Sequence, residues 1–379
     1  MKHLFLCFSI ILTTQLVSAQ QKKRARDYGL HFGVIPTGKQ NAITDVAGVK
    51  VGHTTLIKGE HIRTGVTAIL PFEGNIFQNK VPAAIYAGNG FGKLTGSTQV
   101  AELGNLESPI ILTNTLSIAA GIDGVVEHTL NQQGNETIQS VNAVIGETND
   151  GYLNDIRGRN ITKKEVLAAI KNAKSTAVEE GAVGAGTGTV CFGFKGGIGT
   201  ASRLLPKSLG GYSVGVLVQS NFGGVLQIDG VPVGRELGKF NFSDKLMNNV
   251  DGSCMIIVAT DAPLDSRNLE RLAKRAFMGL AKTGGIASNG SGDYVIAFST
   301  AENLRVPHQT TQSLKQSEEI WNDQVSPLFM AAIEATEEAI INSLFAAVSM
   351  TGRQGNKIEA LPLEKVIPIL EKYNAIKKQ

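Results

Sequence analysis

"GSCMIIVATDAPLDSRNLERLAKRAFMGLAKTGGIASNGSGDYVIAFST", residues 252–300, reads as strand, helix, strand. Met255–Ala259 is an unbroken apolar run rich in β-branched types, the pattern of a strand buried on both faces. From about Ser266 to Thr283, Leu269, Leu272, Ala273, Ala276, Phe277 and Leu280 recur at helical spacing. Arg271, Lys274 and Arg275 fall on the opposite side, so an amphipathic helix is predicted. "DYVIAFST" (293–300) restores a strand, and an alanine-rich helix is expected from Pro327 to about Met350.

Upstream, β-like runs alternate with turn clusters: "AITDVAGVKVGHTTL" (42–56), "GVTAILPF" (65–72), "SPIILTN" (108–114), "VNAVIGE" (141–147) and "YSVGVLVQS" (212–220). A helix is predicted over Lys163–Lys174, with Val166, Leu167 and Ile170 on one face. Strands in runs and helices in blocks predict an α/β chain of the α+β kind. Layered sheets flanked by helices are expected, not a doubly wound sheet. There is no internal repeat.

The chain has 379 residues, 42% apolar and 18% charged, enough to bury a large core. A formal net charge of +3 is too small to imply a nucleic-acid partner. Residues 1–19 have a basic start, an apolar run from Leu4 to Leu12 and small residues at Val17-Ser18-Ala19. That pattern predicts a cleaved signal peptide, and the run is too short to span a membrane. Secretion, to a periplasm, is the expectation. Removal of the signal leaves Cys191 and Cys254, too few for a disulfide scaffold.

Several chemistries lack their residues. There is no HExxH, and the six histidines show no metal-ligand spacing. "GAGTGTVCFGFKGG" (184–197) lacks a Gly-Lys-Ser/Thr ending and does not fit GxGxxG, so the glycine-rich span 181–203 is expected to pack, not to bind phosphate. "NGSGD" (289–293) is not a GxSxG elbow. No metal or cofactor is expected, which leaves a hydroxyl or thiol nucleophile. Ser253 is the candidate. Attack of its hydroxyl on the Gly252 carbonyl, then hydrolysis, would leave a serine with a free α-amine beside its own hydroxyl. Such an amine has a pKa of roughly 7.7–8.0 and can serve as the base. Taken alone, Asp251-Gly252 before a strand reads better as a turn than as a cleavage site. Cys254 is the rival nucleophile, expected in the core.

The whole of 252–300 closely resembles the L-aminopeptidase/D-esterase family of self-processing enzymes, which includes the β-peptidyl aminopeptidases. So do "NAITDVAGVKVGHTTL", "LTNTLSIAAG", "GETNDGYLNDI", "GAVGAGTGT", "KGGIGTASR", "QSNFG" and "DGVPVGREL", in order from residue 41 to about 355. The resemblance implies a four-layer αββα sandwich similar to the N-terminal nucleophile hydrolases, with different connectivity. It implies autocleavage between Gly252 and Ser253, making 20–252 and 253–379 two chains of one domain. It further implies Asn221 as oxyanion donor, Ser291 and Asp293 beside the nucleophile, and Glu147 meeting the substrate amine. Asn149 stands where some relatives carry a tyrosine, and Asp293 where some carry glutamate. The implied function is removal of an N-terminal residue from small peptides, amides or esters with a free amine. Relatives form oligomers, commonly tetramers of the two-chain unit; no membrane or nucleic acid is involved. Two other readings stay open at this point: an acyltransferase of the ornithine acetyltransferase type, and a secreted binding protein with a silent site.

Overall fold

Alternate residues of the strand Ser253–Thr260 enter two different hydrophobic cores. Met255, Ile257 and Ala259 join one, and Cys254, Ile256 and Val258 the other. A strand with two buried faces lies inside a layered structure, as its unbroken apolar run predicts. A computed structural model of the protein describes residues 23–241 and 252–377. The expected signal peptide, 1–19, and Asp251 lie outside the described residues.

In chain order the strands are β1 (Lys50–Lys58), β2 (Ile62–Leu70), β3 (Asn79–Gly90), β4 (Asn105–Leu106), β5 (Ile110–Asn114), β6 (Val144–Thr148), β7 (Val190–Cys191), β8 (Phe194–Lys195), β9 (Gly197–Leu204), β10 (Ser213–Asn221), β11 (Ser253–Thr260), β12 (Gly292–Ser299), β13 (Val306–Pro307), β14 (Met350–Thr351) and β15 (Lys357–Ile358). The helices are α1 (Ser97–Leu103), α2 (Ile118–Leu130), α3 (Lys163–Lys171), α4 (Val233–Glu236), α5 (Ser266–Lys282), α6 (Ser326–Phe345) and α7 (Leu363–Lys372).

Four strands pair in the order β1-β2-β5-β6, and a larger sheet runs β13-β3-β12-β11-β10-β9, with β4 beside β3. Helices α2 and α3 cover the outer face of the small sheet, where Val125, Val166 and Ala169 meet Val66, Ile111 and Ile145. Helices α5 and α6 cover the outer face of the large sheet through Leu269, Leu272, Ala276, Ala335 and Ala339. Between the sheets Val51, Ile69, Leu112 and Val144 face Leu217, Met255, Ile257 and Phe298. The layers are therefore αββα, as expected. Strands from before residue 252 (β3, β9, β10) and from after it (β11, β12, β13) share the large sheet, with β3 inserted between β12 and β13.

Helix boundaries follow local chemistry. Helix α5 starts where Asp265 accepts the Asn268 N–H at 2.8 Å, and α3 where Thr162 and Glu165 form a capping box. Helix α3 ends at Lys171, short of Lys174, because Lys174 exchanges two backbone hydrogen bonds with Val51. Helix α6 stops at Phe345, not near Met350, which instead pairs with Ile358 in a small hairpin. The glycine-rich span packs, as expected. A Cβ on Gly199 would fall 1.9 Å from the Ala339 carbonyl of α6, and one on Gly197 2.2 Å from the Gly181 carbonyl.

Candidate active site

Register brings four strand ends to one point. Ser253, first residue of β11, lies opposite Asn221, last of β10, and opposite Gly292, first of β12. Gly292 in turn pairs with Gly90 at the end of β3. Directly paired residues share a face of a sheet. Asn221 and Ser253 therefore lie on the face of Leu217 and Met255, toward the small sheet.

Ser253 is 5% exposed. Its Oγ donates to the Gly252 carbonyl at 2.6 Å and accepts the Gly292 N–H at 3.3 Å. The same N–H reaches the Gly252 carbonyl oxygen, also at 3.3 Å. Gly252 has to be glycine on steric grounds: a Cβ there would meet Phe222 Cα at 2.9 Å and Ser291 Oγ at 3.2 Å. The buried Asn221 accepts the Val190 N–H through Oδ1 at 2.9 Å, which fixes its amide plane and leaves the Nδ2 hydrogens for donation.

Ser291 and Asp293 are both buried, and the Ser291 hydroxyl donates to Asp293 Oδ1 at 2.8 Å. Asp293 Oδ2 is buried with no hydrogen-bond partner among the described residues. Burial pushes the Asp293 carboxyl up to about 6, against the opposing pull of the Ser291 bond. Its register neighbour Cys254 is fully buried, and its thiol is raised well above the ordinary value by burial and then by Asp293. A thiol held protonated is a core residue and not a nucleophile, as expected.

Glu147, in β6 on the facing sheet, is 3% exposed. Oε1 accepts the Lys93 backbone N–H at 3.1 Å, and Oε2 accepts the Thr115 hydroxyl. One glycine separates it from the Ser253 row. A Cβ on Gly92 would stand 3.1 Å from Gly292 Cα and 3.4 Å from Glu147 Oε1. Asn149 is exposed and turns back on its own loop, where Oδ1 accepts the Gly151 N–H at 2.9 Å. The structure thus brings together Gly252, Ser253, Asn221, Ser291 and Asp293, sets Glu147 beside them, and leaves Asn149 turned back on its own loop.

Residues not singled out from the sequence complete the site. The Gly292 N–H is one, since a backbone donor leaves no side-chain signal. Asn89 is another: its Nδ2 donates to the Ser288 carbonyl at 2.9 Å and the Ser291 carbonyl at 2.5 Å, clamping the 288–291 turn. An asparagine between glycines in "AGNGFGK" (87–93), at the end of a strand, was the available signal. Among the described residues no group of three or more His, Cys, Asp or Glu is placed to hold a metal, and no helix is long and apolar enough to cross a membrane.

Residues 41–358 match peptidase family S58. The chain belongs to that family. This S58 peptidase is 41% identical to the β-peptidyl aminopeptidase BapA of Sphingosinicella microcystinivorans, over 98% of both chains. Among solved structures it superposes on a Burkholderia sp. β-aminopeptidase with a TM-score of 0.86 at 38% identity, covering 94% of this chain and 100% of that one. The L-aminopeptidase D-Ala-esterase/amidase of Ochrobactrum anthropi, described as a variant of the N-terminal nucleophile hydrolase fold, matches with a TM-score of 0.85 at 36% identity. That match covers 93% of this chain and 99% of the other. The S58 enzyme is accordingly an aminopeptidase on an αββα fold of that kind, and the acyltransferase and silent-binder readings are set aside.

Proposed function

We propose that this S58 aminopeptidase is secreted, cuts itself between Gly252 and Ser253, and then uses the new N-terminal serine as its nucleophile. The observation that carries the reading is the buried contact of the Ser253 hydroxyl with the Gly252 carbonyl, with the Gly292 N–H reaching both oxygens. In self-cleavage Ser253 Oγ bonds to the Gly252 carbonyl carbon while its proton leaves through the Ser291 hydroxyl to Asp293. The Gly292 N–H donates to the oxygen as it becomes negative. The Gly252–Ser253 C–N bond breaks, the serine nitrogen takes a proton, and an ester remains. Water then splits the ester into a Gly252 carboxylate and a serine with free hydroxyl and amine.

In turnover that amine, neutral above roughly pH 7.7–8.0, accepts the Oγ proton as Oγ attacks the substrate carbonyl. Asn221 Nδ2 donates to the oxyanion, and Glu147 receives the substrate's ammonium as a charge-assisted partner. The leaving amine takes the proton, and water releases the acyl group. Amides of β-amino acids belong to the proposed substrates, because the relatives just described carry that specificity in their names. The test is N-terminal sequencing of purified active protein, with two polypeptides expected, the smaller beginning Ser253-Cys254-Met255. Ser253→Ala should remain one inactive chain. Active protein that stays a single chain under denaturing conditions overturns the proposal.

A further inference from the structure

Among the described residues, Lys93 is the one cation paired with Glu147, the carboxylate proposed to meet the substrate's amine. Its Nζ lies 3.6 Å from Glu147 Oε1, close enough for an ion pair but too long for a hydrogen bond. The two side chains differ sharply in setting. Glu147 is 3% exposed and pinned by the Lys93 N–H and the Thr115 hydroxyl, whereas Lys93 is 55% exposed on its side chain. A pinned carboxylate thus faces a movable ammonium at the solvent side. The backbone carrying Lys93 is not movable: Gly92 is wedged against Gly292, and the Phe91 N–H donates to the Ser291 carbonyl at 3.3 Å. Lys93 therefore belongs to the rim of the Ser253 site.

A carboxylate offers about four lone-pair sites, and two of those on Glu147 are taken by the Lys93 N–H and Thr115. A substrate ammonium can take a third. It would then sit beside the Lys93 ammonium, and two like charges at that spacing repel, even with Lys93 at the solvent side. A substrate relieves the repulsion if it brings its own anion to Lys93. That anion has to belong to the first residue, because the amine and the scissile carbonyl of that same residue are held by Glu147 and Ser253.

We propose that Lys93 is a specificity-determining residue that selects substrates whose N-terminal residue carries a carboxylate, of the α- or β-aspartyl type. The inference rests on the reading of Glu147 as the amine subsite. Residues with neutral side chains are accepted less well, since they leave Lys93 and the substrate ammonium facing each other.

The experiment compares kcat/KM for aspartyl, β-aspartyl, alanyl and β-alanyl p-nitroanilides in the parent enzyme, Lys93→Met and Lys93→Arg, with N-acetylated versions alongside. The parent should favour at least one of the two acidic substrates over its neutral counterpart. Loss of one charge-assisted contact in Lys93→Met should cut that preference about tenfold or more, mainly through KM, and Lys93→Arg should restore it. Alanyl turnover by the same Lys93→Met sample shows that it is folded. A parent without acidic preference, or a preference unchanged in Lys93→Met while acetylated substrates stay inert, overturns this role for Lys93 alone. Equal turnover of acetylated and free substrates overturns the amine subsite, and this inference with it.

Discussion

Asn221 has two partners to serve with one side-chain amide. Its oxygen is engaged by the Val190 N–H, so any oxyanion it stabilises must take the nitrogen end. Asn221→Ala should lower kcat roughly 10²–10³-fold, the usual effect of removing one oxyanion donor, and change KM less. Steady-state kinetics on β-alanyl p-nitroanilide checks this; a near-normal kcat would move the role to backbone donors such as Gly292. Asp293 makes a pH prediction at the same scale. Its carboxyl titrates at about 6 in the fold against 3.8 in an unfolded chain, because burial disfavours the charge. The folded state therefore holds the proton more tightly. Its advantage is fullest below pH 3.8 and is lost as pH rises through about 6. In a Ser253→Ala background, where the chain stays uncut, thermal stability should show a falling component over that window, and Asp293→Asn should remove it. The difference between the two melting curves across pH is the measurement, and parallel curves would reject the assignment. Ser253 was legible from the chemistry of a Gly-Ser junction at the entry to a strong strand signal, whereas Asn221, Ser291 and Asp293 came only through the resemblance of "QSNFG" and "NGSGD" to a known family. Asn89 and Lys93 were legible in neither way. Their partners lie far along the chain, Ser291 for one and Glu147 for the other, and no local pattern encodes such pairings.

Among the elements, those with a clean period were readable from the sequence. Helix α5 shows its apolar stripe, and the two-faced burial of β11 follows from its unbroken apolar run. Helix α2 carries no comparable signal. "IAAGIDGVVEHTL" has two interior glycines, each unfavourable in a helix by roughly 1 kcal/mol. Those glycines are what the packing requires: a Cβ on Gly121 would meet Ile145 at 2.7 Å, and one on Gly124 would meet Val166 at 2.6 Å. Close approach of α2 to β6 and α3 outweighs helix propensity, and only the folded arrangement reveals it. The same logic at β9 and α6 can be tested. Gly199→Ala would place a Cβ against the Ala339 carbonyl, where the obstacle is backbone and cannot rotate away. We expect a loss of about 1–3 kcal/mol or more, read as a lower urea midpoint, with the KM of any active protein unchanged. A neutral substitution would mean that α6 shifts freely over the sheet.

For the whole molecule, the question is what keeps the two proposed chains together once Gly252–Ser253 is cut. A buried ion network crosses the division. Arg203, in β9 and fully buried, pairs with Glu334 at 3.0 Å and Glu338 at 2.9 Å, both on α6. Arg26, ahead of the first strand, pairs with Glu338 at 2.7 Å, and the Val34 and Ile35 N–H groups donate to Glu334. Burial alone would raise the Glu338 carboxyl. The Arg26 hydrogen bond and the Arg203 and Arg26 charges outweigh it and hold the carboxyl below 4.5. That pairing stabilises the fold above pH 4.5 and is lost as pH falls through the lower, folded value. Arg203→Ala removes the shared cation and leaves two buried glutamates short of a partner, a change that costs about 3–5 kcal/mol where it has been measured. In the cut enzyme such a loss bears on chain association as well as folding. The Arg203→Ala protein should therefore show a lower urea midpoint, a weaker acid dependence of stability, and separation of the two polypeptides at denaturant concentrations the parent withstands. Size-exclusion chromatography in graded urea resolves the last point. Arg203→Ala with Glu334→Gln should recover part of the loss, because Glu338 keeps Arg26 whereas Glu334 loses its cation, and the second change removes that stranded charge. If Arg203→Ala keeps its chains together as well as the parent, apolar contacts between α6 and the sheet hold the halves by themselves.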